Sequence, residues 1–121
     1  MAKTKESAAQ AYLPLPLPGF HMLLALSEGE RHGYALKREI LRRTDGKLNL
    51  AAGALYGTIS RLLDQGLIEE SEERPDPHLD DERRRYYRIT PLGRRVVHAE
   101  AVRLQQLVRL AEQSLGIPEL A

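Results

Sequence analysis

Apolar residues recur every three or four positions in three stretches of the chain, residues 18–28, 34–43 and 51–65. This spacing predicts three amphipathic helices, because it places the apolar side chains on one face of each helix. Asp45-Gly46 follows the second stretch and Gly66 the third, and glycine is typical of helix ends. We therefore expect the N-terminal half of the chain to be helical.

Two shorter stretches have the pattern of β-strands. Residues 67–68 lead into a Glu-rich segment, and residues 83–90 alternate Arg85, Tyr87 and Ile89 on one side with Arg84, Tyr86 and Arg88 on the other. The segment 74–82 between them has two prolines and four acids and predicts the loop of a hairpin. Residues 48–50 predict a linking segment, with one strand of a small sheet as the alternative.

Thr90-Pro91 is a strong helix start, an N-cap followed by proline at the first helical position. The helix is predicted to run to Leu115, because Gly116 follows, and at ~1.5 Å per residue it is roughly 37 Å long. Three helices, a hairpin and a long helix predict a mainly α winged helix-turn-helix. We divide the chain into an N-terminal arm (1–17), the winged helix-turn-helix (18–90) and a C-terminal dimerisation helix (91–116).

The last helix carries an apolar seam with spacings of 4, 3, 4, 3 and 4 residues, a heptad pattern widened by Leu107 and Leu110. The seam positions are Val97, Ala101, Leu104, Val108, Ala111 and Leu115. Packing onto the chain's own domain explains the first half, near Leu92 and Val96. It does not explain the part beyond Leu104, so the seam predicts a homodimer.

The helix over residues 51–65 is the candidate DNA-reading element. Its apolar stripe faces the core, and small residues keep the opposite face thin enough to enter a groove of DNA. The candidate DNA contacts on it are Ala54, Tyr56, Gly57, Ser60 and Arg61. The alternative is that this is the solvated face of an ordinary amphipathic helix.

A net charge of +1 hides separate basic and acidic blocks. Residues 31–50 contain six Lys/Arg and two acidic residues, whereas residues 69–82 contain eight acidic residues and one Arg. Lys37 in the first block and Arg83 and Arg84 after the acidic block are further candidate DNA contacts. The alternative for the Arg run is that it neutralises the neighbouring acids, so we expect part of it to pair internally.

Other functions have little support. The chain has no cysteine, which excludes disulfides and thiolate zinc sites, and its four histidines are not at metal-ligand spacing. The sequence shows no catalytic motif or phosphate loop, and we expect neither a membrane span nor a secretory signal. We expect a cytoplasmic protein with no enzymatic activity, metal or cofactor.

The sequence resembles the PadR family of bacterial transcriptional regulators. The resemblance covers about residues 13–111 and is carried by HGYAL at 32–36, GALYGTISRL from 53 and RRRYYRITPLG from 83. It implies a homodimer with crossing C-terminal helices, a palindromic double-stranded DNA operator, and repression. It also implies that Tyr56 contacts DNA. Ala54 and Gly57 depart from the Ser and Pro that related members often have, which puts base contacts from these two positions in doubt.

Two other functions remain open at this point. One is a winged helix that contacts proteins through its acidic loop. The other is the same regulator with a small hydrophobic effector at the dimer interface, as some members of the family have. Aromatic residues are scarce, with Tyr12, Phe20 and Tyr34 near the expected interface, so no defined pocket is predicted.

Overall fold

The computed structural model of the chain describes residues 5–71 and 85–118. Within these ranges, helices and strands follow in the order α1 (Lys5–Gln10), α2 (Leu17–Ser27), β1 (Arg31–His32), α3 (Gly33–Arg43), α4 (Ala52–Asp64), β2 (Ile68–Glu70), β3 (Tyr86–Ile89) and α5 (Pro91–Leu115). The strands form an antiparallel sheet in the order β1-β3-β2. This confirms the predicted mainly α class with a long C-terminal helix.

The third strand lies at Arg31–His32, and residues 48–50 are the predicted linking segment rather than the alternative strand. Residues 48–50 are irregular, whereas Arg31 pairs with Tyr87 and His32 with Tyr86. A two-residue strand is too short to show a period of two in sequence. It forms because β3 offers unpaired backbone groups on the side away from β2.

Helix α2 lies at the centre of the core and packs against α3, α4, α5 and β3. Met22, Leu23 and Leu26 of this helix are fully buried. The predicted N-terminal arm also contributes to the core, because Ala9 and Leu15 are buried and α1 packs on α5. The arm is therefore integrated with the winged helix at these positions.

The junction between the hairpin and α5 is tight. The Thr90 hydroxyl accepts the N–H of Gly93 (3.0 Å) and donates to the carbonyl oxygen of Gly66 (2.7 Å). A Cβ on Gly93 would lie 2.1 Å from the Leu67 carbonyl oxygen, so only glycine allows this approach. The helix ends at Gly116, which has a φ of 63°. Both ends of α5 confirm the prediction from sequence.

Candidate nucleic-acid interface

Helix α4 has the two faces that its sequence predicts. Leu55, Ile59 and Leu62 are buried in the core. The opposite face is exposed to solvent and carries Ala54, Gly57, Ser60 and Arg61. These four candidate contacts therefore lie together on one accessible surface.

The N-terminal half of α4 is unusually thin. A Cβ at Gly53 or Gly57 would meet no other atom within 4 Å, so packing inside the chain does not require glycine there. Glycine inside a helix costs about 0.5–1 kcal/mol relative to alanine. The N-cap residue, Ala51, makes no side-chain hydrogen bond to the first turn. The backbone N–H groups of this exposed first turn therefore have no cap from the Ala51 side chain.

Tyr56, a candidate DNA contact, is less exposed than the other candidate contacts on α4. Its side chain is half-buried and packs against Gly33, where a Cβ would lie 3.1 Å from Tyr56 Cε1. His32, which precedes Gly33, is the N-cap of α3, since its Nδ1 accepts the N–H of Ala35 (3.0 Å). The His-Gly pair thus starts α3 and makes room for the tyrosine ring. The ring sets the contact between α3 and α4, and the hydroxyl also lies near Gly33, where a Cβ would be 3.4 Å from it.

Two of the candidate cations are not committed to other residues. Arg61 is exposed and Lys37 is half-buried, and neither makes an ion pair or side-chain hydrogen bond within residues 5–71 and 85–118. By contrast, Arg42 and Arg43 on α3 both bind Glu39. Arg61 and Lys37 therefore keep their charge available for a polyanion.

The base of the wing is an ion-paired surface. Arg85 binds Glu70 (2.9 Å) and Arg88 binds Glu69 (2.8 Å), its opposite residue on β2. The pairing of Arg85 confirms that part of the Arg run is neutralised internally. Two candidate contacts, Arg83 and Arg84, lie outside the described residues.

The apolar seam that predicts a dimer follows α5 beyond the rest of the domain. Val97, its first predicted position, is 7% exposed and belongs to the chain's own core, so little of it remains for a second chain. Leu104 is half-buried. The remaining positions are exposed: Ala101, Leu107, Val108, Ala111 and Leu115. The seam thus begins at Ala101, where the core face of α5 loses its cover.

Glu100 is a buried acidic residue with a structural role that was not predicted from the sequence. Its side chain is buried, and Oε2 accepts the backbone N–H of Leu15 at 2.7 Å and Arg103 Nη2 at 3.1 Å. The hydrogen bond from Arg103 holds the pKa of Glu100 below its usual value, although burial acts in the opposite direction. Glu100 thereby ties the N-terminal segment to α5. The available signal was an acid at a core position, three residues after Val97.

A groove between α1 and α5 is a second feature absent from the predictions. It has a volume of about 590 Å³ and is lined by Ala9, Gln10, Arg94, Arg95, His98, Ala99 and Val102. No aromatic residue is among these lining residues. The groove lies within one chain, so the expectation of no defined pocket at the dimer interface stays a prediction.

Comparison with known proteins identifies the family. A model of the transcriptional regulator PadR-like family matches residues 22–99, more than half of the chain. The chain belongs to the PadR-like family. The match spans α3, α4, the sheet and the start of α5. The protein is accordingly a transcriptional regulator with the winged-helix architecture of its family, as its sequence motifs indicated.

Two curated relatives show how far the PadR-like sequence extends. The transcriptional regulator Rv3488 of Mycobacterium tuberculosis is 35% identical over 89 residues, which cover 74% of this chain and 77% of the relative. An uncharacterized 37.1 kDa protein in transposon TN4556 of Streptomyces fradiae is 33% identical over 86 residues. That match covers 71% of this chain but 22% of the transposon protein.

Solved structures share the fold of this PadR-like regulator. A transcriptional regulator from Clostridium thermocellum superimposes with a TM-score of 0.66 at 24% identity, over 88% of this chain and 95% of that one. RosR of H. salinarum gives 0.61 at 23% identity, over 88% and 99%. Among the described residues, no helix is long and apolar enough to cross a membrane, and no group of acidic or histidine side chains could hold a metal ion.

Proposed function

We propose that this PadR-like regulator is a homodimeric repressor that binds an inverted-repeat DNA operator through α4. The observation that carries the proposal is the outward face of α4, where small residues adjoin Ser60 and Arg61. A thin helix end fits deeply into the major groove, and the hydroxyl and guanidinium supply hydrogen bonds to base edges and phosphates. Two copies place two such helices about 34 Å apart, one turn of DNA.

The charge distribution supports α4 as the main contact. Arg61 and Lys37 have no acidic partner among the described residues, whereas Arg85 and Arg88 at the base of the wing are paired with glutamates. Each phosphate contact releases counterions, so operator affinity should fall steeply as salt rises. Repression is the mode we propose, because a dimer seated on its operator excludes other proteins from that DNA.

Replacing Arg61 or Ser60 with alanine is expected to weaken operator binding about 10-fold each, the range of a lost base or phosphate contact. The operator is first selected from random DNA with the wild-type protein, and affinities are measured by fluorescence anisotropy. Arg109→Ala is the matched control, because Arg109 is exposed on α5 and far along the chain from α4. If Arg61→Ala and Arg109→Ala bind equally well, α4 is not the reading helix.

Two further variants separate recognition from folding in the same assay. Tyr56→Phe keeps the ring that packs on Gly33 and removes only the hydroxyl, so a loss of affinity without a loss of stability assigns a DNA contact to that hydroxyl. Gly57→Leu fills open space outside the helix, so the fold should tolerate it while entry into the groove is blocked. A Gly57→Leu protein with wild-type affinity would contradict close approach of α4 to DNA.

A further inference from the structure

The outward face of α4 divides into an apolar half and a polar half. In the first half, residues 52–58, every exposed residue is an alanine or a glycine: Ala52, Gly53, Ala54 and Gly57. In the second half, residues 59–64, every exposed residue is polar: Ser60, Arg61 and Asp64. The two halves therefore offer different chemistry to a DNA groove.

The polar side chains in the first half of α4 are engaged inside the chain. Thr58 is 7% exposed, and its hydroxyl donates to the carbonyl oxygen of Ala54 at 2.8 Å. Tyr56 is half-buried, and its ring and hydroxyl both lie near Gly33. The exposed side-chain atoms of this half are therefore the methyl groups of its alanines.

The two alanines of this half lie on different sides of the helix. Residues seven apart in an α-helix lie almost directly above one another, two turns along the axis. Ala54 is thus aligned with Arg61, which is exposed, whereas Ala52 is aligned with Ile59, which is buried in the core. Ala54 is therefore the alanine that shares the side of the helix proposed to face DNA.

A methyl group can distinguish bases only through an apolar contact. In the major groove, thymine presents a C5-methyl group, whereas the other base edges are read mainly through hydrogen-bond donors and acceptors. Contact between two methyl groups removes apolar surface from water. An apolar helix half without a free hydrogen-bonding side chain is therefore suited to thymine.

We propose that Ala54 reads a thymine in each half of the operator, through contact between its methyl group and the C5-methyl group of the base. The inference rests on the DNA-binding function proposed above. Arg61 lies about 10 Å further along the helix axis, at ~1.5 Å per residue, so it contacts a different base pair. Ala54 thus contributes to the choice of operator sequence without making a hydrogen bond.

The test uses the operator selected from random DNA and duplexes in which one thymine in each half is replaced by deoxyuridine. This change removes the C5-methyl group and keeps the pairing with adenine. At the contacted thymine, the affinity of the wild-type protein should fall about 3- to 5-fold per half, the effect of one buried methyl group. Equal affinity for every deoxyuridine duplex would overturn the proposal.

Ala54→Gly removes the methyl group on the protein side. This variant should bind the thymine and deoxyuridine operators equally well, whereas a weakened helix alone lowers both affinities and leaves their ratio unchanged. Ser60→Gly is the matched control, because it also places glycine on the exposed face of α4 and should keep the preference for thymine. If Ala54→Gly keeps that preference in full, Ala54 does not read the base.

The proposed function and this inference can fail separately. If no sequence is enriched from random DNA, or if Arg61→Ala and Arg109→Ala bind the operator equally well, the function proposed for α4 fails and the inference fails with it. If Arg61→Ala binds more weakly but the selected half-site has no thymine sensitive to deoxyuridine, the DNA-reading role of α4 stands and thymine recognition by Ala54 is disproved.

Discussion

Replacing Val108 and Leu115 together with glutamate is expected to convert the protein to a monomer and to weaken operator binding about 100-fold or more. Val108 is 41% exposed and Leu115 is 69% exposed in the single chain, so both side chains accept a charge without disturbing the core. In the proposed dimer the same change brings four carboxylates into one apolar seam. Burying unpaired charges there costs more free energy than the seam can supply.

The loss of affinity follows from the loss of linkage between two half-sites. In a dimer, binding of one α4 presents the second one at a high effective concentration, an advantage that separate monomers lack. The molar mass of the protein in solution is measured by sedimentation or light scattering, and its affinity is measured on the selected operator. Both measurements use the same protein concentration, because dimerisation depends on it.

A matched control adds the same charges to the opposite side of α5. Gln106 and Gln113 are exposed and, like Val108 and Leu115, are seven residues apart. Gln106→Glu with Gln113→Glu should remain dimeric and bind DNA with near wild-type affinity. If the seam variant is also dimeric, the interface lies elsewhere. If it is monomeric yet binds the operator normally, dimerisation is not needed for recognition.

Replacing Glu100 with alanine is expected to destabilise the fold by about 2–3 kcal/mol at neutral pH, because it leaves the Leu15 N–H buried without an acceptor. The N-terminal segment should loosen from α5 at the same time. Urea unfolding gives the stability change, and hydrogen exchange of the amides near Leu15 reports the release of the segment.

The contribution of Glu100 should depend on pH in a defined direction. The hydrogen bond from Arg103 lowers its pKa in the folded chain, so folding favours the ionised carboxylate. The resulting stability is fully present above the pKa of a glutamate in the unfolded chain, roughly 4.3. It is lost as the pH falls through the lower folded value. Glu100→Gln, which keeps the shape but cannot ionise, should therefore differ from wild type at pH 7 and approach it in acid.

Glu39→Gln is the control for this prediction. Arg42 lowers the pKa of Glu39 as well, but this pair lies at the surface of α3, where ion pairs contribute under about 1 kcal/mol. An equal stability loss in the Glu39 and Glu100 variants would show that Glu100 is an ordinary surface pair. A stability difference between wild type and Glu100→Gln that persists in acid would show that its charge is not the cause.

The ends of α5 could be predicted from sequence because they depend on local chemistry. Thr90 as N-cap, Pro91 at the first helical position and Gly116 at a positive φ act within a single turn of helix. The apolar face of α4 could also be predicted from sequence, because the regular spacing of its apolar residues lies within one continuous segment. Family resemblance and these local rules together gave the element order.

Features that depend on contacts between segments far apart in the sequence could not be predicted in this way. The strand at Arg31–His32 exists because β3 lies beside it. Burial of Glu100 depends on Leu15, 85 residues away in the chain. The partial burial of Tyr56 depends on Gly33, which belongs to another helix and leaves space for the tyrosine ring. In each case the feature depends on a contact between two segments that are separated in the sequence. The local pattern of apolar and polar residues does not predict such a contact.

The glycine at position 93 has a mechanical consequence. One residue, Thr90, separates β3 from α5, and it is bonded at both sides, while Gly93 seats the helix directly on the Leu67 carbonyl. We therefore expect this joint to be stiff, so that α5 and the strands β2 and β3 change direction together. Along a helix of roughly 37 Å, a change of about 5° in direction displaces the far end by about 3 Å. In the proposed dimer, a small change in the angle between the two α5 helices would thus alter the span between the two reading heads, and with it the operator spacing they accept.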